Sequence, residues 1–169
     1  WSFGFVTNEI SQGDVVYVVL SDKPVSFTID ELNEMEKDAV RRFENILEQA
    51  NLPALTSAEQ DMIHASYHLT DDRKDMTSPI YTGYPSVASK TRDTFVALPG
   101  LTLATGRESA ALRVLNFWID KAKESGWIMP ESLLSDGTLF MGGVDCGLWF
   151  VYAADKYISH MGPDGDYTE

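Results

Sequence analysis

The sequence predicts a mainly α-helical fold preceded by a short β element at the N-terminus. Apolar residues recur at intervals of three and four over most of the chain, which is the spacing of amphipathic helices. Two Thr-x-x-Glu sequences have the spacing of a capping box, in which a threonine and a glutamate close the first turn of a helix. A β-branched run near the N-terminus is the main exception, and it indicates strands.

The β element is predicted within the first 27 residues. Asp14 to Leu20 read Asp-Val-Val-Tyr-Val-Val-Leu and follow Gly13, and Trp1 to Val6 form a second aromatic and apolar segment. Because β-branched and aromatic side chains favour the extended backbone, we expect two short strands here.

Two helices are predicted to follow the capping boxes. Thr28-x-x-Glu31 opens the first, which we expect to end near Pro53, and Thr56-x-x-Glu59 opens the second. The apolar stripes of the two helices are formed by Leu32, Met35, Ala39, Phe43, Ile46, Leu47 and Ala50, and by Met62, Ala65 and Leu69.

Residues 70–91 are predicted as a long loop, because two prolines and a glycine interrupt the helical spacing. Helical spacing then resumes, stops at Gly106 and continues again to Gly126, which indicates a helical hairpin. A second long loop is expected over residues 127–143, and a last helix is expected to end before Gly162. Alternating short and long connections indicate stacked α-hairpins with the long loops at one end.

Composition excludes several classes of partner. The chain has 26 acidic and 13 basic residues and a formal charge of −13, which disfavours nucleic acid and anionic membrane surfaces. No apolar run approaches the roughly 20 residues that span a bilayer. The single cysteine, Cys146, excludes an intrachain disulfide and favours a reducing compartment, so we predict a cytoplasmic protein. Because the chain begins at Trp1, we expect it to start within a longer protein or to be processed.

Three segments resemble a known family. Residues 91–107 read Thr-Arg-Asp-Thr-Phe-Val-Ala-Leu-Pro-Gly-Leu-Thr-Leu-Ala-Thr-Gly-Arg, and they closely resemble the segment of glycogen debranching enzymes in which an Arg-Asp pair opens a helix. Residues 126–130, Gly-Trp-Ile-Met-Pro, are similar to the family's Gly-Leu-Ile-Pro-Asn loop. Residues 144–150, Val-Asp-Cys-Gly-Leu-Trp-Phe, resemble its Val-Asp-Ala-Ser-Leu-Trp-Phe segment, and the order agrees as well.

This resemblance implies a partial (α/α)6 toroid. Residues 1–27 would then end a β-sandwich-like element, residues 28–53 would form a linker helix, and residues 54–169 would form the first part of the toroid glucosidase domain.

An open arc of helices is expected to leave apolar side chains such as Leu98, Leu115 and Val151 exposed. We therefore expect the remainder of the toroid or a homo-oligomer partner to cover them.

The resemblance also implies an activity, the removal of single α-1,6-linked glucose residues from a glycogen-like glucan. Such chemistry needs one carboxylic acid to protonate the leaving oxygen and one carboxylate to activate water. We predict Asp145 as the acid, with its pKa raised by the rings of Trp149 and Phe150, and a general base outside this chain. The alternative for Asp145 is a helix N-cap.

Four further residues are predicted to bind the sugar. Arg92 and Asp93 offer a donor fork and an acceptor pair that suit the vicinal hydroxyls of glucose, although an ion pair at a helix start is the alternative. Tyr84 and Trp127 are aromatic residues in the predicted loops, whereas Trp149 is more typical of a core. No cofactor is expected. His64, His68 and His160 do not form a metal set with the lone cysteine, so no metal is expected either.

The match departs from the family pattern on the predicted sugar-facing loops. Tyr84-Pro85 is followed by Ser-Val-Ala-Ser-Lys-Thr where the family has further aromatic residues and an Asp-Trp pair. Glu131 replaces an asparagine, and Gly142-Gly143 replaces an Asn-Thr pair. A non-catalytic carbohydrate-binding or assembly module on the same scaffold is therefore the second hypothesis. A glucoamylase-like or trehalase-like activity is the third, because a fold does not determine a function.

Overall fold

A computed structural model describes residues 9–21, 23–70, 80–82, 89–134, 136–165 and 167. Within these ranges the chain is mainly helical with one small sheet, as the sequence predicts. It divides into two compact units, residues 1–41 and 42–169, which are described in turn. None of the helices in the described ranges combines the length and the apolar character that crossing a membrane requires.

Helix α1 runs from Ile29 to Ala50. Its start is closed by the predicted capping box. The backbone N–H of Thr28 donates to the Glu31 carboxylate at 2.8 Å, and the N–H of Glu31 donates to the Thr28 hydroxyl at 3.3 Å. The prediction of a helix between Thr28 and Pro53 is confirmed.

In the first unit, the strand predicted from Asp14 to Leu20 was wrong. This stretch is in neither helix nor strand, and Val18 is 82% exposed. A β-branched run forms a strand only beside a partner strand, and the described residues of this unit supply none. The hydroxyl of Tyr17 instead donates to Asn33 Oδ1 on α1 at 2.6 Å. The companion strand predicted at Trp1 to Val6 lies outside the described residues.

The second unit contains the four other α-helices of the described ranges. They are α2 (Ser57–His68), α3 (Thr91–Leu101), α4 (Glu108–Glu124) and α5 (Cys146–Met161). All four were predicted. The capping box of Thr56 and Glu59 at the start of α2 is present, with each side chain bonded to the backbone of the other residue.

Helix α3 lies at the centre of the core of this unit and packs against both α4 and α5. Phe95 on α3, Trp118 on α4 and Ala153 on α5 are completely buried. The ring of Phe95 lies edge-on to Trp118 and to Phe150, with centroids 6.3 and 5.4 Å apart. Full burial of an apolar side chain contributes about 1.5–3 kcal/mol, so the contacts among these three helices account for much of the stability of the unit.

The expectation that Leu98 and Leu115 are exposed was wrong, because α3, α4 and α5 cover each other's apolar faces. Leu98 is completely buried and Leu115 nearly so. The outer face of α5 does match the expectation, since Val151 is 62% exposed and Leu148 is exposed beside it.

A small antiparallel sheet stands beside the start of α3. Its strands are β1 (Ser89–Lys90), β2 (Ser132–Leu133) and β3 (Leu139–Phe140), in that spatial order. Ser89 pairs with Leu133, and Leu133 pairs with Leu139. The segment predicted as a loop over residues 127–143 therefore contains a short hairpin. Two-residue strands are too short to show the alternation that identifies a strand in a sequence.

Arg107 links the α3–α4 connection to α2. Its buried guanidinium donates to the Thr70 hydroxyl at 2.6 Å and to the Thr105 hydroxyl at 3.2 Å, and it also contacts the carbonyl of Leu101. Since Thr105 and Leu101 border the connection and Thr70 lies just beyond α2, one side chain holds the two segments together.

Replacing Gly106 by alanine is expected to destabilise the protein by about 1–3 kcal/mol. Gly106 has φ 68°, and a Cβ there would lie 2.7 Å from the backbone oxygen of Gln49. At Gly100, within α3, an added Cβ would meet no neighbouring side chain or segment within 4 Å, so Gly100→Ala should instead stabilise by about 0.5–1 kcal/mol. Urea unfolding of both variants measures the difference, and effects of the same sign would contradict this account.

Candidate active site

Two predicted site residues that are 53 positions apart meet in the structure. Arg92 Nη2 donates to Asp145 Oδ1 at 2.8 Å. Arg92 is the second residue of α3, and Asp145 immediately precedes α5. The starts of these two helices therefore lie side by side, and both side chains are partly exposed to solvent.

The start of α3 is held by Thr91, which is completely buried. Its N–H donates to the carbonyl of Glu131 at 2.9 Å, and its hydroxyl donates to the carbonyl of Pro130. Both bonds join Thr91 to the chain just before β2. They therefore fix the start of α3 and, with it, the position of Arg92.

Asp145 stands at the N-cap position of α5, but its side chain does not cap the helix. Its carbonyl accepts from the N–H groups of Leu148 and Trp149, at 3.0 and 3.1 Å, as in an ordinary first turn. Its carboxylate is turned instead toward Arg92. The alternative role of Asp145 as a side-chain N-cap is therefore not supported by the geometry.

Both oxygens of the Asp145 carboxylate accept hydrogen bonds from nitrogen. Oδ1 accepts from Arg92, and Oδ2 accepts from the indole Nε1 of Trp149 at 3.1 Å. The pKa of Asp145 is lowered, first by the hydrogen bond from Arg92, which desolvation partly offsets, and further by the hydrogen bond from Trp149. The expectation that neighbouring rings raise this pKa was wrong. The Trp149 ring does lie beside Asp145, but it presents its N–H.

Glu131 and the glycine pair 142–143 form the adjoining side of the site. A Cβ on Gly142 would lie 2.4 Å from Glu131 Oε2, and a Cβ on Gly143 would lie 2.4 Å from Cys146 Sγ. The backbone of the pair therefore lies directly against these two side chains. No spacing rule indicates this contact, although Glu131 and the glycines were noted separately as departures from the family pattern.

Cys146 is buried beneath this surface. The pKa of its thiol is raised, first by burial and then by the negative charges of Asp145 and Glu131. A thiol in this environment stays protonated at neutral pH, so it is not suited to act as a nucleophile.

Trp127 lies a few positions before Pro130 and Glu131, the residues whose carbonyls bind Thr91. It is 74% exposed and has φ 67°, a left-handed conformation that is uncommon for a large side chain. Its N–H donates to the carbonyl of Ala122 at 2.7 Å, which closes the C-terminus of α4. The indole is thus held in solvent at some conformational cost, and it is a candidate surface for stacking on a sugar ring.

The remaining predicted residues are less informative. Asp93 is exposed in the first turn of α3, and its charge makes a minor contribution to raising the pKa of Arg92. Tyr84 lies outside the described residues. Trp149 packs partly against the core, as predicted.

The described ranges contain no group of three or more His, Cys, Asp or Glu side chains that could hold a metal ion. His64 and His68 contact each other, with their Nε2 atoms 3.0 Å apart.

Comparison with known proteins agrees with these observations. A family model described as amylo-alpha-1,6-glucosidase matches residues 34–166, which include α2 to α5 and every described residue of the site. No curated protein matches the chain, and no solved structure does.

The Asp145→Asn variant is expected to lack a contribution to the unfolding free energy that the wild type has at neutral pH and loses in acid. Since the pKa of Asp145 is lowered on folding, its ion pair stabilises the protein above the unfolded-state pKa of about 3.9 and is lost as the pH falls through the lower folded value. The difference in unfolding free energy between wild type and Asp145→Asn should therefore be largest near pH 6 and shrink below about pH 4. Urea unfolding across this range measures it. Asp155→Asn removes an exposed charge from α5. Its difference in unfolding free energy from wild type should not shrink in this way at low pH.

Proposed function

We propose, since this chain belongs to the amylo-alpha-1,6-glucosidase family, that it acts on the single α-1,6-linked glucose residues that remain at branch points of a glycogen-like glucan. Water would replace the glucan oxygen at the anomeric carbon, giving glucose and a linear glucan. We further propose that the reaction inverts the anomeric centre, with Asp145 as the general acid and a general base outside this chain.

The observation that supports this proposal best is the contact between Arg92 and Asp145. It joins a guanidinium, with its fixed fork of donors, to a carboxylate that accepts hydrogen bonds, at the adjacent starts of two helices. Neighbouring hydroxyls of a glucose ring donate and accept at similar spacing, so a sugar can replace this contact with equivalent ones. Asp93, exposed on the same turn as Arg92, would supply a further acceptor.

The low pKa of Asp145 sets a condition on this mechanism. A general acid must carry a proton, whereas Asp145 is ionised at neutral pH while Arg92 donates to it. We therefore infer that a bound sugar draws the guanidinium of Arg92 onto its own hydroxyls. Loss of that hydrogen bond, together with the exclusion of water by the substrate, would raise the pKa of Asp145 toward the range of a working acid.

The second candidate is a carbohydrate-binding or assembly module without catalysis. The same ion pair favours it, because a carboxylate that stays ionised can hold a hydroxyl group but cannot protonate a leaving oxygen. The two candidates differ in whether Asp145 takes part in releasing a product, and product release in the first assay below would exclude the binding module.

We also propose that the exposed apolar face of α5 is covered by the remainder of the toroid or by a second copy of the chain, since Leu148 and Val151 are both more than half exposed. A reducing compartment such as the cytoplasm would suit the single buried thiol of Cys146.

Glucose release from a branched maltodextrin with single α-1,6-glucosyl stubs is the direct test of the activity. Asp145→Asn should reduce release by at least about 100-fold, because an amide cannot donate the proton that the leaving oxygen needs. Asp155→Asn, with the same charge change on α5, should retain the wild-type rate. Release by wild type and by Asp145→Asn at equal rates would show that Asp145 is not the acid. No release by any of the three, combined with binding of the maltodextrin, would exclude catalysis by this chain alone, as expected for a binding module or for a general acid that lacks its base.

Trp127→Gly is expected to stabilise the protein by about 1 kcal/mol, because glycine adopts the left-handed backbone without strain and the exposed indole buries little surface. The same variant should weaken the binding of malto-oligosaccharides by about tenfold if the indole stacks on a sugar ring. Trp127→Ala separates the two effects, since it removes the ring but keeps the strain. Unfolding in urea and calorimetric titration give both quantities, and unchanged affinity in both variants would place Trp127 outside the sugar site.

A further inference from the structure

A pocket of about 300 Å³ lies in the second unit between the end of α1, the helix α2 and the start of α4. Three arginines line it, namely Arg42, Arg107 and Arg113. We propose that this pocket, which the family match does not explain, binds the phosphate group of a small phosphorylated molecule such as a hexose monophosphate. The proposal does not depend on the glucosidase activity.

The charge of the lining contrasts with the charge of the chain. The chain has 26 acidic and only 13 basic residues, yet the described residues that line the pocket include three of its arginines and no aspartate or glutamate. Guanidinium groups match the geometry of phosphate oxygens and form charge-assisted hydrogen bonds with them. A concentration of arginines in one concavity of an acidic protein is therefore the feature that points to an anionic ligand.

The deepest of the three arginines is held in place before any ligand arrives. Arg107 is only 7% exposed, and its side chain is oriented by the hydroxyls of Thr70 and Thr105. Its guanidinium also lies over the ring of Tyr67, 5.2 Å from the centroid. A positive charge fixed in this way loses little conformational freedom on binding. Arg42 is exposed on α1 and Arg113 is partly buried on α4, so the three arginines reach the pocket from different elements.

The first turn of α4 adds to the positive character of the pocket. Arg107 occupies the N-cap position and its side chain does not cap the helix, while Ser109 in the first turn lines the pocket. The N–H groups of a first turn have no partners within the helix and favour anions. Glu108 belongs to the same turn, and its carboxylate contacts Nε2 of His160 on α5 at 3.0 Å.

Size and neutral polar groups indicate what the phosphate is attached to. A pocket of about 300 Å³ is at the lower end of the range for small-molecule sites, which suits a ligand the size of one monosaccharide. Asn45, Gln49 and Ser109 line the same pocket and can exchange hydrogen bonds with sugar hydroxyls.

This pocket is separate from the candidate active site. Arg92 stands at the start of α3, whereas Arg107 follows the end of that helix. Eleven helical residues span about 16 Å, so the two sites lie at opposite ends of α3. Because the chain as a whole is acidic, long-range steering opposes a phosphate, and the affinity must come from contacts within the pocket.

Calorimetric titration of the full chain with inorganic phosphate, a hexose monophosphate and the unphosphorylated hexose tests the proposal. We expect saturable binding of the hexose monophosphate, at least about tenfold tighter than any binding of the hexose. Arg42→Gln and Arg113→Gln should each weaken the binding by about tenfold, as expected for the loss of a charge-assisted hydrogen bond. Arg41→Gln is the matched control, because Arg41 is the neighbour of Arg42 on α1 and pairs with Asp38. It should bind as wild type does.

Arg107 is left unchanged in these variants because its contacts also hold α2 to the α3–α4 connection, and thermal unfolding verifies that each variant is folded. Inorganic phosphate that binds as tightly as the hexose monophosphate, with the same losses in the two variants, would support a phosphate site and assign it to the free ion. The absence of saturable binding at millimolar concentrations would overturn the proposal. Equal losses in Arg41→Gln and Arg42→Gln would overturn it as well, since they would indicate a general charge effect.

Discussion

The position of the candidate site depends on how α3 is held at its start. Thr91 is completely buried and uses both its N–H and its hydroxyl to bind two consecutive carbonyls, those of Glu131 and Pro130. These bonds attach the start of α3 to the residues just before β2. The pairing of β1 with β2 extends the attachment by two residues. Since buried polar groups left without partners are costly, the arrangement resists displacement. Arg92, the next residue, is therefore presented to solvent from a rigid base.

Rigidity of this kind has an electrostatic consequence for Asp145. The burial of Phe95 and Ala153 between α3 and α5 keeps the starts of the two helices adjacent. Arg92 and Asp145 then pair although both side chains are partly exposed, a setting in which an ion pair contributes little to stability. Because the lowering of the Asp145 pKa and the stability that this ion pair contributes are linked, a contact of this kind can be exchanged for contacts with a ligand at little cost. Release of Arg92 would remove the main cause that keeps the pKa of the Asp145 carboxyl low.

Local signals in the sequence predicted the helices well, because caps and apolar periodicity act within a few residues. The boxes at Thr28 and Thr56 were confirmed bond by bond. Features that depend on distant partners were predicted poorly. The run from Asp14 to Leu20 has strand-forming residues but forms no strand, and β2 and β3 are too short for a pattern to show. The direction of the pKa shift of Asp145 depends on a guanidinium 53 residues away, which no local environment reveals.

The contact between Glu131 and the glycine pair brings a second carboxylate close to the start of α5. A Cβ at position 142 would lie 2.4 Å from Glu131 Oε2, so the glycine leaves room for the carboxylate in this position. Glu131 and Asp145 both raise the pKa of the Cys146 thiol through their charges, so the two carboxylates share this neighbourhood. The carbonyl of Glu131 also accepts from the N–H of Thr91, the residue before Arg92. Glu131 therefore contributes to the site in two ways, since its backbone supports the helix that carries Arg92 and its carboxylate adds negative charge near Asp145.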